Sequence, residues 1–133
     1  VSDDVVRMAL VHCKFSGGST PGERVKDVIE VSSQALRSAR WVGKFPQLVQ
    51  HLKARNEPAK RGGRPTRFIK GDTSDLNRIV KLHRFRPIAT EILIAQPGLS
   101  KSKRTAAQSA VLAAGLTYVK ETVGIDISIL CSA

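Results

Sequence analysis

The sequence predicts an α/β fold: a central mixed, mostly parallel sheet flanked by helices. Three observations lead there. Short runs rich in Val, Ile and Leu recur along the chain, amphipathic segments of helical period separate them, and Gly or Pro marks most boundaries. The resulting order is strand, helices, strand, helix, strand, helix, strand. Such alternation favours parallel pairing, because a parallel neighbour is reached through a helical crossover.

"VVRMALVHC" (5–13) reads as a largely buried first strand. Asp3-Asp4 before it read as a hairpin turn, so a further strand is expected upstream. The chain opens on valine and is expected to be a piece of a larger protein. In "TPGERVKDVIEVSSQALRSAR", Thr20 can cap a helix, Pro21 suits its first position and Glu23 completes a capping box. Apolar residues at 25, 28, 29, 35, 36 and 39 then keep a helical period, giving a helix over 22–40. A second helix is expected from Pro46 to Lys53, and a basic loop at 54–66, where Gly62, Gly63, Pro58 and Pro65 break regular structure. "TRFIK" (66–70) is a short strand candidate, and "DTSDLNRIVKLHRF" a helix capped by Asp72 or Thr73 and ending near Phe85. "ATEILIAQ" (89–96) is a strand stopped by Pro97-Gly98. An alanine-rich helix follows from Ser100 to Gly124, and "IDISILCS" (125–132) closes the chain as a strand.

At 133 residues, 41% hydrophobic and 25% charged, the chain is expected to form a single domain, 1–133, with a real core. No apolar run reaches membrane-span length and the N-terminus does not read as a signal peptide, so a cytoplasmic setting is expected. Cys13 and Cys131 both sit in strand-like segments and are expected to be buried, reduced thiols. No pair of Cys or His has zinc-ligand spacing.

The charge is unbalanced: 22 Lys and Arg against 11 Asp and Glu, a net +11. That excess favours a polyanionic partner through long-range attraction and counterion release. It is also unevenly placed. "KARNEPAKRGGRPTRFIK" (53–70) holds seven basic residues and one acid, Glu57, so Lys60, Arg61, Arg64 and Arg67 are candidates for phosphate contacts. Lys101, Lys103 and Arg104 crowd the predicted start of the alanine-rich helix, where their charge opposes the helix dipole unless an anion binds with them. Aromatic residues are few, and base stacking on an aromatic platform is not expected.

Two motifs concern chemistry. Gly17 and Gly22 have P-loop spacing, but Glu23 stands where that loop needs lysine and would repel phosphate. In "HCKFSGG", an extended chain puts His12 and Lys14 on one face and Cys13 on the other. Glu30 and Gln34, one turn apart with Asp27 and Arg37 nearby, form a polar stripe on the following helix. Taken alone these are a strand end and a solvent-facing stripe. Together they converge at one sheet edge if the stripe faces Lys14.

The segment "HCKFSGGSTPGERVKDVIEVSSQALRSARW" resembles the core of the PD-(D/E)XK, or restriction-endonuclease-like, superfamily, as found in bacterial proteins that join helicase-type domains to a nuclease-like domain. "ILIAQPGLSKS" and "ISILCS" extend the resemblance over most of the chain. In that family one strand supplies an acid, the next ends in (D/E)-x-K, and the following helix supplies a glutamine or a migrated glutamate. The resemblance implies catalytic roles for Lys14, Gln34, Glu30 and His12, with Glu30 as a metal ligand for Mg²⁺ or Mn²⁺. It implies metal-dependent hydrolysis of DNA phosphodiesters, beside a helicase or ATPase domain on the same chain. His12 stands where the family has Asp or Glu, and the strand bearing the invariant acid falls before residue 1 or is represented by Asp3 and Asp4. The alternative expectation is a catalytically inactive nucleic-acid-binding module on the same fold. A basic protein-interaction domain ranks third, since it leaves His12, Lys14, Glu30 and Gln34 unexplained.

Overall fold

The computed structural model describes residues 4–14 and 20–133, with the side chains of all of these except 58–60. Asp3, Gly17 and the side chain of Lys60 lie outside the described residues. The elements are β1 (Val6–Cys13), α1 (Val25–Ser38), a 3-10 turn (Ala39–Trp41), α2 (Phe45–Arg61), α3 (Thr73–His83), β2 (Ile88–Ser100), α4 (Ala106–Val123) and β3 (Ile127–Ser132). The fold is α/β, with helices flanking a three-stranded parallel sheet in the order β1-β2-β3. The chain divides into two compact units: residues up to Arg7 with Trp41–Ala89, and Met8–Arg40 with Thr90–Ala133.

The second unit holds most of the sheet. β2 and β3 pair in parallel with Ile92 opposite Ile127 and Ile94 opposite Ile129. Ile92, Ile94 and Leu99 of β2 are buried, as are Val28 and Val31 of α1 and Leu112 and Val119 of α4. Val28, Leu99 and Leu112 pack into one cluster, flanked by Ile129 and Cys131 of β3. α4 lies close on α1 at Gly115, where an added Cβ would stand 3.1 Å from Leu36 Cδ1.

Five expectations are corrected in this unit. β1 is half-buried, not largely buried: Met8, Leu10 and His12 turn inward while Ala9, Val11 and Cys13 are exposed. Cys13 is therefore a free exposed thiol and Cys131 a free half-buried one. β2 does not stop at Pro97-Gly98. It continues to Ser100 through a register shift after Gln96, the kind of irregularity that accommodates a proline without a ladder N–H. The capping box of Thr20 and Glu23 does not form, and α1 starts at Val25 with Arg24 as an N-cap that lends no side chain. The preceding segment is bonded elsewhere: Gly22 N–H donates to the Gly98 carbonyl at 3.1 Å, and Gln108 Nε2 donates to the Gly22 carbonyl at 3.0 Å. α4 likewise begins at Ala106, not Ser100, because Thr105 and Gln108 form the capping box there. It ends at Gly124, whose φ of 73° closes the helix in the left-handed region.

The first unit is helical. α2 runs to Arg61, so residues 54–61 of the expected basic loop are helix, and only the stretch after Arg61 is irregular. Pro58 withdraws one N–H from the ladder without ending it. "TRFIK" (66–70) is not a strand. Its start is tied to α2 instead: Asn56 Oδ1 accepts from Thr66 Oγ1 at 3.2 Å and from Arg67 N–H at 3.0 Å. α3 begins as predicted, capped by Asp72 in a reciprocal box with Asp75. Lys53 Nζ donates to Asn77 Oδ1 between α2 and α3, and Phe45 meets His83 edge-on with ring centroids 5.6 Å apart.

Candidate functional site

The alternation of β1 brings His12 and Lys14 to one face, as half-buried residues either side of exposed Cys13. The period of α1 places Glu30, Gln34 and Ser38 one turn apart along one stripe. Strand end and stripe do meet. Lys14 Nζ lies 2.9 Å from Glu30 Oε2, and Ser38 Oγ lies 2.7 Å from His12 Nε2. Ser38 Oγ also reaches the Gln34 carbonyl at 3.4 Å. The hydroxyl has one proton, so when it donates to that carbonyl the imidazole must carry its own proton on Nε2. Burial, and secondarily the nearby Arg37 guanidinium, hold the His12 imidazole below its usual pKa of 6.5. Arg37 is anchored by donating from Nε to the Ser33 carbonyl at 3.2 Å. Asp27 pairs with Arg24, 3.5 Å distant.

Sequence reasoning missed Ser38. The signal was present, four residues beyond Gln34 and eight beyond Glu30 on the same stripe. A serine there reads as solvent-facing until the strand opposite is known.

The donor set does not suit Mg²⁺ or Mn²⁺. A hard divalent ion wants several oxygen ligands, and this cluster offers one carboxylate, already engaged by Lys14, beside an imidazole. Among the described residues no three of His, Cys, Asp and Glu come together. The cluster is an ion pair next to a neutral imidazole–hydroxyl pair, and no metal-assisted step is derived from it.

The basic candidates fall on two segments. Arg61 ends α2, where its charge complements the helix dipole, and Arg64 and Arg67 are exposed on the irregular stretch that follows. Among the described residues no carboxylate pairs with Arg55, Arg61, Arg64 or Arg67. Lys101, Lys103 and Arg104 are exposed in the bend before the Thr105 cap, not in the first helical turn as expected. Lys103 N–H donates to Ser100 Oγ at 3.1 Å, and the helix start is satisfied internally by Thr105 and Gln108. The charge conflict that would have called for an anion there is thus reduced.

No helix among the described residues is long and apolar enough to cross a membrane. Comparison with models of known protein families, with curated proteins and with solved structures finds no match to this chain.

Proposed function

We propose that the chain is a DNA-binding module on a restriction-endonuclease-like α/β fold, working in a cytoplasmic DNA-processing or restriction-type protein beside a helicase or ATPase domain. The observation that carries this reading is the run of arginines on α2 and the stretch after it, without carboxylate partners among the described residues, in a chain of net charge +11. Arginines that no internal acid neutralises are suited to phosphate oxygens, which they hold in a planar fork.

A second reading, metal-dependent DNA hydrolysis, is favoured by one observation, the 2.9 Å pairing of Lys14 with Glu30 at the end of β1. It requires a further carboxylate beside Glu30, since one oxygen ligand group does not hold Mg²⁺.

The test is duplex DNA binding across a salt series, with plasmid cleavage assayed in Mg²⁺ and Mn²⁺. Log affinity is expected to fall with log salt at a slope of about −0.9 per phosphate contacted, and Arg64→Ala and Arg67→Ala to flatten it by about one each. Affinity indifferent to salt would sink the DNA reading. Cleavage abolished by Lys14→Ala would promote the second reading over the first.

A further inference from the structure

The two edges of the sheet are built differently. With the strand order β1-β2-β3, both β1 and β3 are edges among the described residues. An edge presents a row of N–H and C=O groups without partners, and native proteins blunt it with charge, proline, a bulge or a cover. β1 is blunted by Arg7, exposed within it, and by Lys14 just past its end. β3 has no such device. "ISILCS" (Ile127–Ser132) holds no charge, no proline and no glycine. All six residues pair with β2, and the register shift falls on the β2 side, between Gln96 and Ser100, so β3 itself runs uninterrupted. Leu130 in its middle is 57% exposed.

Charge sets the same surface apart. Residues 1–104 hold 21 Lys and Arg against 9 Asp and Glu, whereas residues 105–133 hold Lys120 against Glu121 and Asp126. The surplus of +11 therefore lies entirely outside α4 and β3. α4 carries no charge from Ala106 to Val119, and its exposed residues over that span are alanines, Thr117 and Tyr118. Two copies of a chain this basic repel one another. That repulsion is least where α4 and β3 face outward.

The surface is also charged in opposite senses at its two ends. α4 returns from the end of β2 to the start of the parallel strand β3, so its own start lies by the end of β3. Lys101 N–H donates to the Ser132 carbonyl at 2.8 Å, which fixes the basic bend of Lys101, Lys103 and Arg104 at that end. Glu121 and Asp126 mark the other end. Among the described residues, Lys101, Lys103 and Arg104 have no carboxylate partner and Glu121 has no cationic one. An antiparallel pair of β3 strands sets the basic end of each copy beside the acidic end of the other, twice over. A parallel pair would set basic bend against basic bend. The arrangement that satisfies the edge is thus the one that the charges favour.

We infer that α4 and β3 form a homodimer interface, in which β3 pairs antiparallel with β3 of a second copy and two three-stranded sheets join into one of six strands. The pairing is isologous, as a closed two-fold dimer requires. Residues directly opposite in an antiparallel pair share a face of the sheet. With Leu130 on the two-fold axis, this exposed leucine covers its own counterpart, Ile129 faces Cys131, and Ser128 faces Ser132. The uncharged start and middle of α4 then lie over the joined edge, where alanines let two helices approach closely.

The test is the mass of the full chain, freed of nucleic acid by nuclease treatment, from light scattering behind size exclusion. Twice 14.4 kDa is expected at about 10–100 μM, since interfaces of standard size bind at micromolar affinity or better. Leu130→Lys puts two like charges opposite each other on the axis and should give a monomer with an unchanged circular dichroism spectrum. Glu121→Lys, which turns attraction into repulsion at both ends, should weaken the dimer about tenfold. Register is read by mild oxidation in a Cys13→Ser, Cys131→Ser background. Leu130→Cys should cross-link two copies there, and Ser128→Cys should not. A monomer across this concentration range would overturn the proposal, and fast amide exchange in β3 would then show an open edge, slow exchange one covered by another segment. A dimer that survives Leu130→Lys, without cross-linking through Leu130→Cys, would overturn it too, since the copies then meet elsewhere.

Discussion

In the unit built on the sheet, the charged and imidazole side chains at the end of β1 and the start of α1 find partners, Lys14 with Glu30, His12 with Ser38 and Arg24 with Asp27, although Ser32 Oγ on α1 and Gln96 Oε1 on β2 are buried without one among the described residues. In the unit of α2 and α3, Arg55, Arg61, Arg64 and Arg67 have no carboxylate among the described residues, and Asn56 keeps a buried donor without an acceptor. Matched charges hold a geometry, whereas unmatched ones keep their field for something outside the chain. The cluster that most resembles a catalytic centre in sequence is thus the more self-contained. The segment that read as a basic loop is where an external anion has most to gain.

That contrast is open to measurement. The largest expected effect is on the sheet unit's core: Leu99→Ala, at a fully buried position in the Val28–Leu112 cluster, should cost about 2–5 kcal/mol in urea unfolding. Leu52→Ala, at a position 42% exposed, should cost less than about 1 kcal/mol. Similar losses at the two would erase the distinction between a tight unit and a loose one. Next in size, Asp72→Ala removes the α3 capping box and should cost about 1 kcal/mol, read as a lower urea midpoint with an unchanged slope.

Smaller still is the Lys14–Glu30 pair. Both partners are partly exposed, and a double-mutant cycle with Lys14→Met and Glu30→Gln should give a coupling of about 0.2–1 kcal/mol. A coupling of several kcal/mol would mean a drier, more demanding centre than this geometry describes. The last effect is a pH slope. The His12 pKa is lowered in the folded state, so below about pH 6.5 the unfolded chain takes up the proton first. Stability should therefore fall as pH drops from 6.5 towards the lowered value, and His12→Gln should flatten that part of the profile. An unchanged slope in the variant would show that another group titrates there.

Much of the candidate site was legible because it rests on periodicity. Period two puts His12 with Lys14, and period 3.6 puts Glu30 with Gln34 and Ser38, whatever lies around them. The errors share another cause: each followed a local signal that a distant partner overrode. Thr20, Pro21 and Glu23 spell a helix start, yet Gly22 is bonded to Gly98 and Gln108. "TRFIK" has strand composition, yet Thr66 and Arg67 are held by Asn56. Pro97-Gly98 spells a stop, yet β3 continues the pairing through Ser100 and Ser132, with Ser132 Oγ donating to the Pro97 carbonyl at 2.7 Å.

By itself, then, the sequence determined the α/β alternation, a cap for α3 at Asp72 or Thr73, the helix end at Gly124, the basic surplus and the faces on which His12, Lys14, Glu30 and Gln34 lie. These depend on backbone geometry and composition, which each segment carries with it. Tertiary structure alone decided that Lys14 meets Glu30, that Ser38 joins His12, and that Asn56, Arg67 and Phe68 close a cavity against α2 and α3. Those outcomes depend on hydrogen bonds and packing between residues far apart in the chain, whose partners no local pattern names.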